Sequence, residues 1–198
     1  MAHIVGMNEP IREGVAIGLT LAEVVDMADM GEVTRSLDPE EVAEAGRAGM
    51  QEWGLAGVGI IRDSRWVGVA LISPQKSLPR AHPLAAGGID ERNAALTLVH
   101  IDPAESFVGL GKKLCVGLSR RLRGQVLAID AQAGSGPGMD SQLTPSAEWL
   151  GKMGFEAVRY PVRRYRLSLA TMATWMEEHL QWSPRPGIAL SGQAALRQ

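Results

Sequence analysis

The sequence contains a single cysteine, Cys115, so the chain cannot form an internal disulfide. Domains that depend on disulfides in oxidising compartments are therefore excluded, and a reducing compartment is expected. Cys115 lies beside the leucines of a helical apolar pattern, and we interpret it as a core residue rather than a nucleophile.

Long apolar runs are missing as well. No stretch approaches the roughly 18 apolar residues that suggest a membrane-spanning helix. The N-terminus lacks the basic and apolar segments of a secretory signal. We therefore expect a cytoplasmic protein without a membrane partner.

The chain has no excess of basic charge. Its 20 Lys and Arg against 22 Asp and Glu give a net charge of −2, which provides no general attraction to nucleic acid. One basic segment, residues 163–166, is interpreted as a solvated or interface strand edge. The four histidines form no pair with metal-ligand spacing. Neither a nucleic-acid partner nor a metal site is expected.

The most informative stretch runs from Leu96 to Leu122. The apolar residues 94–101 predict a strand covered on both faces, which Pro103 ends. After a turn, leucines recur every fourth residue and predict a helix with one buried stripe. These leucines are Leu110, Leu114, Leu118 and Leu122.

The start of this helix carries Gly109 and Gly111, and Lys112 and Lys113 follow in its first turn. Glycines allow a ligand to approach the backbone, and the first N–H groups of a helix lack intrahelical partners, so an anion can bind there. The alternative is a tight strand-to-helix turn with two solvated lysines. The spacing fits neither a Walker loop nor a dinucleotide fingerprint.

The remaining sequence predicts a domain of alternating short elements. Predicted strands cover residues 15–18, 55–61, 66–72, 126–130 and 155–169, the last divided at Pro161, and predicted helices cover 20–28, 38–53, 146–153 and 171–180. Residues 75–93 and 131–145 are rich in glycine and proline and are expected to be loops. We expect an arm at 1–14, one domain at 15–169, and a C-terminal helix with a loose tail at 170–198.

The segment from Ser106 to Gly111 resembles the pyrophosphate loop of the GNAT superfamily of N-acetyltransferases. That loop reads Gln or Arg, two residues, Gly, one residue, and Gly or Ala, and Ser106 departs from its first position. The element order and the Lys152–Phe155 ending of the fourth helix resemble the family too. The resemblance covers residues 15–169. It implies an α/β (α+β) fold with a mixed, mostly antiparallel central sheet flanked by helices.

The resemblance also implies an activity, namely acyl-CoA-dependent N-acyl transfer to a primary amine of a small molecule or peptide. The co-substrate would be acetyl-CoA or a related acyl-CoA. The implied cofactor-binding positions are Val99, Ile101, Ser106, Phe107, Val108, Gly109, Leu110, Gly111 and Lys112. The alternative is a module of this fold that binds acyl-CoA, or mediates interactions, without catalysis.

The acid and base of the reaction are harder to assign. The family's tyrosine acid and the asparagine before it correspond to Leu150 and Leu143, so no general acid is assigned. Base positions on the central strand correspond to Ala95 and Thr97, and strict alternation would place His100 on the other face. We therefore predict that His100 is not the base, and Thr97 and Asp130 remain as weak catalytic candidates.

The predicted helix 171–180 carries an apolar stripe beyond the last strand of the core. Such a stripe and the neighbouring sheet edge need cover, which a second copy of the chain would supply. We therefore expect a homodimer.

Overall fold

A computed structural model describes residues 16–20, 23–24, 39–86, 88–105, 109–134, 144–158 and 163–170. Within these residues the elements follow in this order: β1 (Ala16–Leu19), α1 (Pro39–Trp53), β2 (Gly57–Arg62), β3 (Arg65–Pro74), α2 (Pro83–Ala86), β4 (Asn93–Ile101), α3 (Leu110–Leu122), β5 (Ala128–Gln132), α4 (Ala147–Lys152), β6 (Glu156–Ala157) and β7 (Arg164–Ser168).

The described strands form one seven-stranded sheet in the order β1-β2-β3-β4-β5-β7-β6. Neighbours are antiparallel except β4 and β5, which are parallel. The mixed, mostly antiparallel sheet expected from the sequence is confirmed. Strand β5 begins two residues later than predicted, because Val126 forms only an isolated bridge and Leu127 is 57% exposed.

Local signals in the sequence explain where several elements begin. The Thr20 N–H donates to Glu23 Oε2 at 2.6 Å and the Glu23 N–H donates to Thr20 Oγ1 at 3.3 Å, which confirms the predicted capping box. The predicted hairpin is also confirmed, and Asp63 and Ser64 both have positive φ at its turn. Ser146 caps α4 by accepting the Trp149 N–H at 3.1 Å.

Helix α3 packs on one face of the sheet through the predicted leucine stripe. Leu110, Leu114, Leu118 and Leu122 are at most 1% exposed and join a core cluster with Leu96, Val99, Ile129 and Leu167. The helix approaches β1 closely at Gly117, where a Cβ would lie 2.6 Å from Ala16 Cβ. A smaller cluster on the opposite face contains Leu19, Val69, Leu71 and Leu98.

Strand β4 contains a β-bulge at Thr97. Leu98 pairs with Leu71 and Leu96 pairs with Ile72, so Thr97 is an extra residue on β4. The bulge interrupts alternation, and as a result Leu96 and Val99 both belong to the α3-side core. The expectation of unbroken alternation along this strand was wrong.

The bulge changes the position of His100. His100 pairs with Val69 of the opposite-face cluster, and Ala95 pairs with Ser73, which lies two residues after Leu71 of that cluster. Residues paired across a sheet share a face, so His100 and Ala95 lie on the same side. Strict alternation therefore cannot be used to exclude His100 as a base.

Several predictions fall outside the described residues. They concern the N-terminal arm, Ser106, Phe107 and Val108, most of the glycine-rich loop, Leu143, and the C-terminal helix with its tail. The homodimer rests on that helix and stays a prediction that sedimentation velocity can test. Within the described ranges, no helix is long and apolar enough to span a membrane.

Candidate active site

A gap opens in the sheet between β4 and β5. Their parallel register ends at the pair Leu96 and Ala131, whereas β4 continues to Ile101 alongside β3. In the described residues, the second half of β4 therefore has a neighbouring strand on one side only. Val99 and Ile101, two of the predicted cofactor-binding positions, lie in this half.

The start of α3 has the geometry of an anion-binding helix end. Gly109 is the N-cap of the helix with φ of 70°, in the left-handed region, and it makes no side-chain capping hydrogen bond. A Cβ built on Gly109 would meet no heavy atom of the described residues within 4 Å, so the approach to Gly109 is open on their side. Lys112 and Lys113 are exposed in the first turn, which contains no acidic residue. Uncapped N–H groups beside cationic side chains favour a phosphate ligand.

Gly111 has a different reason to be glycine than the sequence suggested. It is buried, and a Cβ there would lie 2.9 Å from Trp149 Cζ2 and 3.0 Å from Met153 Sδ. Its missing side chain therefore makes room for α4 rather than for a ligand. The backbone of Gly111 remains a predicted contact, but only Gly109 offers an open approach.

The turn between β4 and α3 is tied to the tip of the β2–β3 hairpin. Asp102 forms an ion pair with Arg65 at 2.8 Å, and Glu105 forms one with Arg62. The Asp102 N–H also donates to Val67 O at 3.0 Å. These contacts fix the chain just before the predicted pyrophosphate loop. The two arginines were not predicted as site residues, because in the sequence they appear only as residues flanking a hairpin turn.

Asp130 is the centre of a buried polar cluster. Its Oδ2 accepts from Gln75 Nε2 at 2.6 Å, Asn93 Nδ2 at 3.1 Å and Arg164 at 2.6 Å. Arg166 donates to both carboxylate oxygens, at 2.7 and 3.0 Å. Burial alone would raise the pKa of Asp130, but the hydrogen bonds from Arg166 and Arg164 outweigh it and hold the pKa below its usual value.

Asp130 is therefore withdrawn as a catalytic candidate. A carboxylate that is 0% exposed, accepts five hydrogen bonds and has a lowered pKa is a poor proton acceptor. Instead it helps to hold the segment after β3 on the sheet. Gln75 Oε1 accepts the Asp90 N–H at 3.2 Å, and Arg164 donates to Gly88 O at 3.4 Å.

Three side-chain atoms in the described residues are buried without a hydrogen-bond partner. They are Thr97 Oγ1, Gln132 Oε1 and Arg164 Nε. Thr97 and Gln132 directly follow the last pair of the β4–β5 register, so two of the three lie where the gap begins. Thr97 is one of the predicted catalytic candidates. Gln132 was not predicted, because an isolated glutamine after a strand carries no motif.

Burial determines the properties of the other candidate residues. Burial raises the pKa of Cys115 to about 12, which supports its interpretation as a core residue. Burial lowers the pKa of His100, although Asp102 opposes this shift. Leu150, at the position of the family's tyrosine, is 0% exposed and belongs to the core. Within the described ranges, no three His, Cys, Asp or Glu residues could share a metal ion.

No protein-family model matches the chain, and no curated protein matches its sequence. Solved structures do match its fold. A protein from Desulfovibrio desulfuricans, described as a member of the GNAT family of acetyltransferases, has a TM-score of 0.50 at 20% identity, over 78% of this chain and 98% of that one.

Two further matches contain ligands. The yncA protein of Salmonella typhimurium, solved with its cofactor acetyl-CoA, has a TM-score of 0.50 at 15% identity, over 78% of this chain and 93% of that one. The aminoglycoside acetyltransferase AAC(6')-Ib, in complex with coenzyme A and kanamycin, has a TM-score of 0.51 at 14% identity, over 84% and 98% of the two chains. The sheet of this chain opens between β4 and β5, and the helix after β4 has glycine as its N-cap. This chain has the fold of the GNAT acetyltransferases.

Proposed function

We propose that the protein is an acyl-CoA-dependent N-acyltransferase that moves an acyl group, most simply acetyl, to a primary amine of a small molecule or peptide. One observation carries the proposal: β4 loses its neighbour β5 after Leu96 and then leads into the open start of α3. The gap in the sheet and the start of the helix are therefore consecutive along the chain. The thioester arm in the gap and the pyrophosphate at the helix start are connected parts of one acyl-CoA molecule. The fold supports the proposal, because structures that share it contain acetyl-CoA or coenzyme A.

The proposed binding mode uses mainly backbone groups. The pyrophosphate binds N–H groups from Phe107 to Lys112, with Ser106 and Val108 in the same loop. The pantetheine arm and the thioester carbonyl bind main-chain groups of Val99 and Ile101. Because backbone donors stabilise the anions, the proposal does not require a Gln or Arg side chain at Ser106.

The reaction itself is a nucleophilic substitution at the thioester carbon. The amine nitrogen forms a C–N bond, the C–S bond breaks, and the thiolate of CoA leaves and takes up a proton. The amine loses a proton, so a proton acceptor or water must lie on the amine side of the sheet. Leu150 supplies no acid to the thiolate, which takes its proton from solvent in this proposal.

A free-thiol assay separates this function from the alternative, a module that binds acyl-CoA without catalysis. The protein is incubated with acetyl-CoA, with and without a panel of primary amines. An enzyme releases CoA thiol faster in the presence of an accepted amine. Binding of CoA with no amine-dependent thiol release would favour the non-catalytic module.

Because the bulge places His100 on the face of Ala95, we infer that His100 accepts the amine proton, directly or through water. Its pKa lies below the usual 6.5, so the imidazole is neutral near pH 7 and able to accept a proton. We expect His100→Gln to lower kcat/KM for the amine by about 10²-fold or more. In the wild-type protein the rate should fall as pH drops below 6.5 through the lowered pKa, and the variant should lack this acid limb.

The matched control is His82→Gln, since burial also lowers the pKa of His82 but its ring accepts the Leu84 N–H at 3.2 Å in the loop after β3. This variant should retain wild-type kinetics. A His100→Gln protein that keeps activity within about tenfold and retains the acid limb would show that the proton leaves through water instead.

A further inference from the structure

Thr97 and Gln132 mark the point where β4 and β5 separate. The last residues in register are Leu96 and Ala131, and the next residue on each strand is Thr97 or Gln132. Thr97 is the extra residue of the bulge. The hydroxyl oxygen of Thr97 and the amide oxygen of Gln132 are both buried and lack a hydrogen-bond partner.

Such atoms work against stability. A buried polar group without a partner destabilises the folded state relative to a satisfied one, and native proteins contain few of them. The third one, Arg164 Nε, belongs to a guanidinium group whose other nitrogens bind Asp130, Gln75 and Gly88. Thr97 Oγ1 and Gln132 Oε1 have no such compensation, and both lie beside the gap.

We propose, on the basis of the function proposed above, that Gln132 and Thr97 hold the nucleophilic amine. A neutral primary amine has two N–H donors and one lone pair. Gln132 Oε1 and Thr97 Oγ1 each accept one N–H, and the lone pair is then free to attack the thioester carbon in the gap. As the C–N bond forms, one of these two protons leaves the nitrogen for His100 or water, and the C–S electrons leave with the CoA thiolate. The ligand satisfies both buried oxygens, and the site selects primary over secondary amines, because an N-methyl amine offers only one N–H.

The strand neighbours of Gln132 fix the face from which the acceptor arrives. Gln132 pairs with Arg164 across β5 and β7. Ile129 and Ala131 belong to the α3-side core, so alternation places Gln132 on the other face of β5. The acceptor therefore reaches the gap from the face opposite α3.

The test uses two near-isosteric variants, Gln132→Met and Thr97→Val, which remove one acceptor each. The probes are acetyl-CoA with tyramine, ethanolamine and kanamycin, and with N-methyltyramine and N-methylethanolamine. We expect each variant to lose about tenfold or more in kcat/KM for the primary amines, and to lose the preference for primary over N-methyl amines. The dissociation constant of CoA should be unchanged, and Tm should be unchanged or higher, because a buried unpaired atom has been removed.

Gln125→Met is the matched control, since Gln125 is exposed and lies outside β5, before its first residue, where its side chain donates to Arg121 O. It should leave the amine kinetics unchanged. A clear fall in Tm of either site variant would show that the oxygen stabilises the fold. Amine kinetics equal to wild type would show that the oxygen does not hold the amine. Either result would overturn the inference. A failure of the proposed function itself looks different: the wild-type protein then transfers acetyl to none of the probes, which overturns both proposals.

Discussion

Replacing Asp130 by asparagine is expected to lower the free energy of unfolding by about 3–5 kcal/mol. The substitution removes the negative charge that pairs with Arg164 and Arg166, while Arg164 stays 4% exposed and cannot reach solvent. In either orientation of the new amide its NH2 group faces a donor that the carboxylate accepted, which is Arg166 Nε at the Oδ1 position or Gln75 and Asn93 at the Oδ2 position. Denaturation with urea at pH 7, with and without the substitution, measures the difference.

A surface ion pair provides the control. Glu148 and Lys152 are 2.6 Å apart on α4, and their side chains are largely exposed. Glu148→Gln should leave the free energy of unfolding nearly unchanged, because an exposed ion pair contributes little to stability. If Asp130→Asn costs no more than this control, the cluster around Asp130 does not hold the sheet and the segment after β3 together.

The same cluster predicts part of the pH dependence of stability. The folded pKa of Asp130 lies below its ordinary value of 3.8, so its contribution is present above that pH and is lost as pH falls through the lowered pKa. The Asp130→Asn variant should lack this component of acid destabilisation.

Replacing Gly109 by leucine is expected to weaken CoA binding by about 10²-fold or more, equivalent to about 2.7 kcal/mol. The added side chain occupies the open space in front of the first turn of α3, where the pyrophosphate is proposed to bind. Nothing in the described protein lies within 4 Å of the new Cβ, so the variant should fold. The positive φ of 70° adds a strain of about 1–2 kcal/mol. Calorimetric titration with CoA measures the loss.

Gly124 allows the strain to be separated from the loss of the ligand site. It follows α3 at the other end with φ of 80°, and a Cβ there also meets nothing within 4 Å. Gly124→Leu should therefore lose similar stability but bind CoA like the wild type. Equal CoA affinity in the Gly109 and Gly124 variants would contradict the proposed position of the pyrophosphate.

The elements of the fold were predictable because each has a local signal. Leucine at every fourth residue predicted α3, the capping box at Thr20 predicted a helix start, and the apolar runs predicted β2, β3 and β4. Start positions that depend on pairing were less accurate, as β5 shows. Its first predicted residues are apolar, but Val126 forms only an isolated bridge, and Leu127 hydrogen-bonds to Arg92 and Leu169, which lie just outside β4 and β7.

The site was less predictable because its determinants are contacts between distant segments. The bulge at Thr97 arises from the pairing of β4 with β3, and no residue type announces it, so the face of His100 was assigned wrongly. Gly111 matches a loop pattern, but its burial under Trp149 shows only in the packed structure. The partners of Asp130 come from three segments that lie up to 55 residues from it in the sequence, which periodicity cannot connect.

Transfer of a labelled acetyl group tests the central proposal most directly. The wild-type protein is mixed with acetyl-CoA labelled in the acetyl carbonyl and with the amine panel, and the products are analysed by mass spectrometry alongside the released CoA thiol. The proposal predicts that labelled N-acetyl amine and free CoA form in equal amounts, and that at subsaturating acetyl-CoA the Gly109→Leu variant forms both about 10²-fold more slowly. Release of thiol without labelled amine, or no turnover by a protein that binds CoA, would contradict it.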